Sequence, residues 1–116
     1  MTLLLLGFNP NFKVIFLIIS IIFLGNCAPL QQQYGTGPIK LLPYVQQQFE
    51  KYKALDQPEF FAVSSDGYFS GYSHCRSGVC NDWEYGVRIA IISCERRADT
   101  PCKIYAKGRE IVWNKN

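Results

Sequence analysis

Apolar positions fall into three regimes along this chain. They are almost continuous from Val14 to Leu24, lack any period from Ala28 to Gly37, and recur at helical or strand spacing from Ile39 onward. The third regime carries the fold. Val45, Phe49 and Tyr52 recur at spacings of four and three with Gln, Glu and Lys between them, which predicts a helix over 43–55. Pro43 suits its first turn, where a missing N–H is no loss, and Asp56 and Pro58 stop it. The apolar stripe is narrow, so this helix is expected to dock across the domain, away from its centre. Phe and Val enrich 59–64 as they do strands, Asp66-Gly67 is a hairpin turn signal, and Tyr68 to His74 returns as a second strand.

Cys75 to Cys80 then forms a compact loop. Asn81 is expected to cap a helix over 82–97, with Glu84 completing a capping-box-like arrangement. Trp83, Val87, Ala90, Ile91 and Cys94 share one face of that helix, and Arg96 and Arg97 suit its C-terminal dipole. Thr100-Pro101 breaks the chain. Cys102, Ile104 and Ala106 then alternate with Lys103, Tyr105 and Lys107, Gly108 turns, and Glu110 to Trp113 is the last strand. Helix, hairpin, helix, hairpin argues an α+β domain: a small antiparallel sheet of about four strands with two helices on one face.

The upstream regimes concern address, not fold. Residues 1–26 read as an export signal, with Lys13 ahead of the apolar run. Val14 to Leu24 spans about 16 Å as a helix, well short of a bilayer core of roughly 30 Å. Extension to Leu3 would reach that length, but Asn9, Pro10, Asn11 and Lys13 interrupt it, so a signal peptide is favoured over an uncleaved anchor. Leu24-Gly25-Asn26-Cys27 resembles the lipobox of bacterial lipoproteins, which implies lipidation of Cys27 as the first residue of the processed chain. Asn26 departs from the pattern, since that position is usually Gly, Ala or Ser. Ala28 after the cysteine, where Asp would retain a lipoprotein at the inner membrane, leans towards the outer membrane by the same resemblance. The stretch to Gly37, rich in Gln and Gly, reads as a tether. The expected organisation is a signal at 1–26, a lipidated cysteine and tether at 27–37, and one domain at 38–116.

Composition narrows the chemistry. A chain of 116 residues holds one small domain, and the part left after processing is near the size where a single core is marginal. Loss of Lys13 with the signal lowers the formal net charge from +3 to +2, too little and too dispersed for nucleic acid. Five cysteines split into Cys27 and a group of four from Cys75 to Cys102. Four allow three pairings. Cys94, at the inner face of a helix end, stands eight positions before Cys102 at a strand start, and Cys75 with Cys80 closes the loop between strand and helix. Loops this short contribute roughly 2 to 3 kcal/mol each in the chain-entropy model. A zinc site using His74 as a further ligand is the rival, but these spacings lack the two-residue knuckles of structural zinc sites. Disulfides suit an oxidising periplasm, and no metal or cofactor is expected.

Candidate sites are few. His74 is the single histidine and has no carboxylate near it in sequence, so it reads as a strand-end residue. Ser64, Ser65 and Asp66 resemble a nucleophile and base only superficially; beside Gly67 they are turn residues. Tyr68, Tyr72, Tyr105, Trp83 and Trp113 would make an aromatic platform for a glycan or peptide, although small domains bury such residues first. Arg76, Lys107 and Arg109, on predicted loops, would meet anionic lipid or cell-wall carboxylates. Arg76 and Ser77, with Tyr105 and Trp113, are the weak binding candidates.

Gly37-Pro38-Ile39, Phe49-Glu50-Lys51-Tyr52, Phe61-Ala62-Val63-Ser64 with Asp66-Gly67, the Cys94 to Cys102 pair, Lys103-Ile104-Tyr105-Ala106 and Val112-Trp113 are together similar to a group of small exported proteins, mostly from alphaproteobacteria. The likeness runs from Gly37 to Trp113. It implies a small sheet-plus-helix module attached to other envelope proteins, and it brings no catalytic residues. The expected function is therefore a non-catalytic binding module: a lipoprotein on the periplasmic face of a membrane, with an envelope protein or the cell wall as partner. The alternative is a tethered inhibitor of a periplasmic or cell-wall enzyme, probing with the Cys75 to Cys80 loop.

Overall fold

The computed structural model describes residues 30–78 and 80–116. A 3-10 turn at Leu30–Gln33 leads to helix α1 (Pro43–Lys53), strands β1 (Pro58–Ser64) and β2 (Ser70–His74), helix α2 (Trp83–Glu95), and strands β3 (Cys102–Lys107) and β4 (Glu110–Ile111). The expected signal and Cys27 lie outside the described residues. Two hairpins join through antiparallel β1–β3 pairing into one four-stranded sheet of order β2-β1-β3-β4. The fold is α+β, with both local disulfides formed: Cys75–Cys80 and Cys94–Cys102, with Cα separations of 5.8 and 6.1 Å. Those bonds take up the thiolates on which a zinc site would draw.

The helices lie on opposite faces of the sheet, not on one. The reason is in β1, whose Phe60-Phe61-Ala62-Val63 run is apolar on both sides, as expected of a strand buried twice over. Phe61 and Val63 join Val45, Phe49 and Tyr52 of α1 in one core. Phe60 and Ala62 join Val87, Ala90 and Cys94 of α2 in the other. α1 is thus central to its layer, despite its narrow stripe. The Phe49 ring lies 5.1 Å from that of Phe61 and meets Tyr105 edge-on at 5.2 Å.

Three further departures have local causes. Asp82, not Asn81, caps α2, accepting from the Tyr85 amide at 3.0 Å. Counting from that cap puts Gly86, Val87, Ala90 and Cys94 inside and leaves Trp83 41 % exposed. In β3 the pairing shifts between Phe61–Ala106 and Ala62–Ile104, so Tyr105 is an extra residue on that strand. The bulge brings Tyr105 and Ala106 together into the α1 core, breaking the simple alternation. β4 stops after two residues because the amides of Val112 and Trp113 both donate to the Tyr105 carbonyl, at 2.9 and 3.2 Å.

The stretch read as a tether joins the sheet well before Gly37. Tyr34 bridges Ile104 and Thr36 bridges Asn114, both in parallel. Gly35 and Gly37 donate to the carbonyls of Ile104 and Asn114, and the Asn114 amide returns a bond to Gly35. Trp113 locks this strap: its indole N–H donates to the Gly37 carbonyl at 2.9 Å, and its ring lies where a Cβ on Gly35 would stand. Among the described residues, no helix is long and apolar enough to cross a membrane.

Candidate functional site

Strand order leaves β2 at one edge of the sheet, and a cleft of about 660 Å³ runs along it. Tyr44 and Gln48 of α1 form one wall; Tyr85, Ile89 and Ser93 of α2, with Arg97 in the turn after it, form the other. β2 itself is the floor, from Ser70 to His74, and Arg76 stands at one end. The volume lies in the range of ligand clefts.

The floor is shaped by small residues. Gly71 lets the α2 backbone rest directly on β2: a Cβ there would stand 2.6 Å from the Ala90 carbonyl oxygen and 2.8 Å from the Ser93 carbonyl carbon, and would strike the Cys94 amide nitrogen. Side chains of β2 alternate around the edge. Tyr72 turns towards α1, touching the Tyr52 ring at 6.2 Å and stacking on His74 at 5.7 Å. Ser73, like Gly71, lies on the α2 side; it is buried, and its hydroxyl has no hydrogen-bond partner among the described residues.

The backbone of the floor is open as well. The Phe69 carbonyl accepts from the Ser64 amide at 3.0 Å. Antiparallel pairs alternate between bonded and non-bonded, so Gly71 is bonded to β1 while Ser70 and Tyr72 direct their N–H and C=O groups outward. Among the described residues, charge along the cleft is mostly positive: Arg76 and Arg97 against the carboxylate of Glu59.

The residues singled out from sequence divide sharply. Arg76 and His74 come together, the Arg76 Nε donating to His74 Nε2 at 3.3 Å. Ser77 is exposed beside Cys80 in the disulfide loop. Tyr105 and Trp113, the other binding candidates, are 4 % and 7 % exposed and belong to the α1 core, which removes them from any surface platform. Tyr68, Tyr72 and Trp83 are exposed, but only Tyr72 lines the cleft. Arg109 is engaged at the end of α1, donating to the carbonyls of Lys53 and Leu55 at 3.0 and 2.8 Å. That role is structural.

Ser64, Ser65 and Asp66 are turn residues. Ser64 is fully buried and its hydroxyl donates to Asp66 at 2.6 Å, while Asp66 also accepts from the Tyr68 amide. Those two bonds hold the Asp66 carboxyl below the usual carboxylate range, the Ser64 hydroxyl contributing most. Gly67 supplies the left-handed conformation, φ +77°, and its carbonyl accepts from the Leu42 amide at 3.1 Å. Tyr52 shows the opposite effect: burial, then the charge of Glu59, push its phenol well above the ordinary range. It serves as a neutral donor to the Gly108 carbonyl at 2.7 Å.

Sequence reasoning missed Tyr44, Tyr85, Ser73 and Arg97, because which strand would be outermost is a property of long-range pairing. The one local hint was the Ser-Gly-Tyr-Ser-His composition of β2, too polar and small for a central strand. No known protein family, curated protein or solved structure matches the chain.

Proposed function

We propose that this chain is a cell-envelope lipoprotein whose domain acts by binding, with the β2 cleft as its contact surface. The observation that carries the reading is the asymmetry of the sheet. The strap at Tyr34–Gly37 enters at the β3/β4 edge, and the open cleft lies at the opposite, β2 edge. A lipid at Cys27 would sit within about 25 Å of Tyr34 even with the intervening chain fully extended. The tethered edge then faces the membrane and the cleft faces away from it. The lipobox-like Leu24-Gly25-Asn26-Cys27 and the likeness to small exported proteins of alphaproteobacteria support the same address.

Arg76 favours this reading over a loop-borne inhibitor. Its guanidinium is drawn to His74 at the end of the cleft, so the Cys75–Cys80 loop contributes to the cleft and is not a separate probe. Two measurements test the proposal. Intact mass of the exported protein should begin at Cys27 plus acyl chains; a full-length unlipidated chain overturns the anchor. A photo-crosslinking residue at Tyr85, in the cleft, should give discrete adducts in intact cells, and one at Ile111, beyond it, should give none. Equal labelling from both positions, or none from either, overturns the binding surface.

A further inference from the structure

We propose that the β2 cleft takes an extended, acidic peptide as a fifth strand of the sheet. The inference rests on the binding reading above and names its ligand class. Three observations meet at this site. Ser70 and Tyr72 point main-chain donors and acceptors into the cleft, which is the template for strand addition. Ser73, which lines the same space, holds a buried hydroxyl with no partner among the described residues, a polar group left for a ligand to satisfy. Arg76 and Arg97 outnumber Glu59, so the field in the cleft selects carboxylates.

The geometry also fixes the pattern of the ligand. Side chains of an added strand alternate between the two faces of the sheet. Every second residue would pass Tyr44 and Tyr72 on the α1 side, where flat or aliphatic groups stack. The intervening residues would pass Tyr85 and Arg97 on the α2 side, where a carboxylate pairs with the guanidinium. A second copy of this chain suits the edge less well: its Ser70–His74 strand carries no carboxylate, and Arg76 and Arg97 would come with it.

The test is fluorescence anisotropy with the full-length chain in detergent and an end-capped, labelled peptide alternating valine and aspartate. Saturable binding is expected, with the lysine-for-aspartate peptide weaker by about ten-fold or more. N-methylation of alternate amides should separate the two edges of the peptide: one set abolishes binding because those N–H groups pair with β2, and the other set leaves it unchanged. Tyr72→Pro removes an outward donor and should abolish binding, whereas Tyr72→Ala keeps the donor, loses only the ring's stacking surface and should weaken binding without abolishing it. Proline is tolerated on an edge strand, so an unchanged circular dichroism spectrum separates this effect from misfolding. Arg97→Glu, in the exposed turn after α2, offers a second variant with an expected loss of about ten-fold.

The absence of saturable binding, equal affinity for the acidic and basic peptides, or indifference to which amides are methylated would each overturn the proposal. Self-association that Tyr72→Pro abolishes would also overturn it, by giving the edge to a second copy. Should the peptide fail while Tyr85 adducts persist in cells, the ligand class falls and the binding reading stands. Failure of both removes the binding reading too.

Discussion

Gly71→Ala tests how closely α2 rests on β2, and with it the floor of the cleft. The added methyl would meet the Cys94 amide nitrogen, the Ala90 oxygen and the Ser93 carbonyl carbon, all backbone atoms and all inside 3 Å. No side chain can swing aside. The helix must retreat by about 1 Å to restore van der Waals contact, and the Cys94–Cys102 bond ties its end to β3. Overpacking of this kind costs about 1–3 kcal/mol, and rigid backbone on every side puts this site at the upper end. Reduced freedom of the unfolded chain offsets less than about 1 kcal/mol. The net loss should be about 2 to 3 kcal/mol, which lowers the midpoint of thermal unfolding by about 8 to 24 °C in a domain of this size. Gly78→Ala is the control: it has φ +78° but open space around it, so only left-handed strain of about 1 kcal/mol applies. Thermal and urea unfolding followed by circular dichroism give both numbers. If Gly71→Ala costs no more than Gly78→Ala, α2 does not rest on the β2 backbone and the shape argued for the cleft is wrong.

Trp113→Ala should cost about 3–5 kcal/mol as a buried aromatic and free the strap at Tyr34, so chymotrypsin should cut after Tyr34 far faster than in the parent; equal cleavage would mean that the indole does not hold the strap. Graded reduction with a phosphine should open Cys75–Cys80 first, because Cys80 is exposed whereas Cys94 and Cys102 are 0 % and 2 % accessible; differential alkylation and mass spectrometry read the order, and the reverse order would contradict this account of accessibility. Asp66 has a lowered folded-state pKa, so its contribution to stability is present above the unfolded value of about 3.9 and is lost as pH falls through the folded one. Urea midpoints at about pH 5.5 and pH 3 should therefore fall less in Asp66→Asn than in the parent; an equal fall would show that the Ser64–Asp66 turn does not sense acid.

Much of the architecture was legible because it is written in short-range patterns. The i, i+4, i+7 spacing of Val45, Phe49 and Tyr52 gave α1, Asp66-Gly67 gave the first hairpin, and the placement of cysteines beside element ends gave both disulfides. What was not legible depended on pairing between distant segments. Whether the helices share a face or divide the two depends on reading Phe60-Phe61-Ala62-Val63 as apolar on both sides, and a run of four admits either reading. The bulge at Tyr105 and the strap at Tyr34–Gly37 follow from register against β1 and the C-terminal segment, which no local signal sets. The strap in particular looks like a linker in composition, yet its Gly35 is there to admit the Trp113 ring. Two of the four binding candidates, Tyr105 and Trp113, proved buried for the same reason. Tyr105 and Trp113 were attractive as large aromatics, but a domain this small spends such residues on its core.

The two edges of the sheet show why the cleft reads as a site and not as an unfinished side of the fold. An open strand edge invites uncontrolled pairing, and proteins suppress it by covering, shortening or charging the edge. Here the far side of β3 is covered in kind: β4 pairs with its end, and Tyr34 bridges Ile104 where β4 leaves off. Among the described residues, no segment closes the β2 edge in that way. Instead β2 is kept to five residues between helices that overhang it from both faces, with Arg76 and Arg97 at its sides. Such an edge rejects broad sheets, which the helices exclude, and rejects cationic strands, which the arginines repel. What it leaves admissible is a single narrow strand carrying carboxylates, so the features that protect the edge from aggregation are the same ones that make it selective.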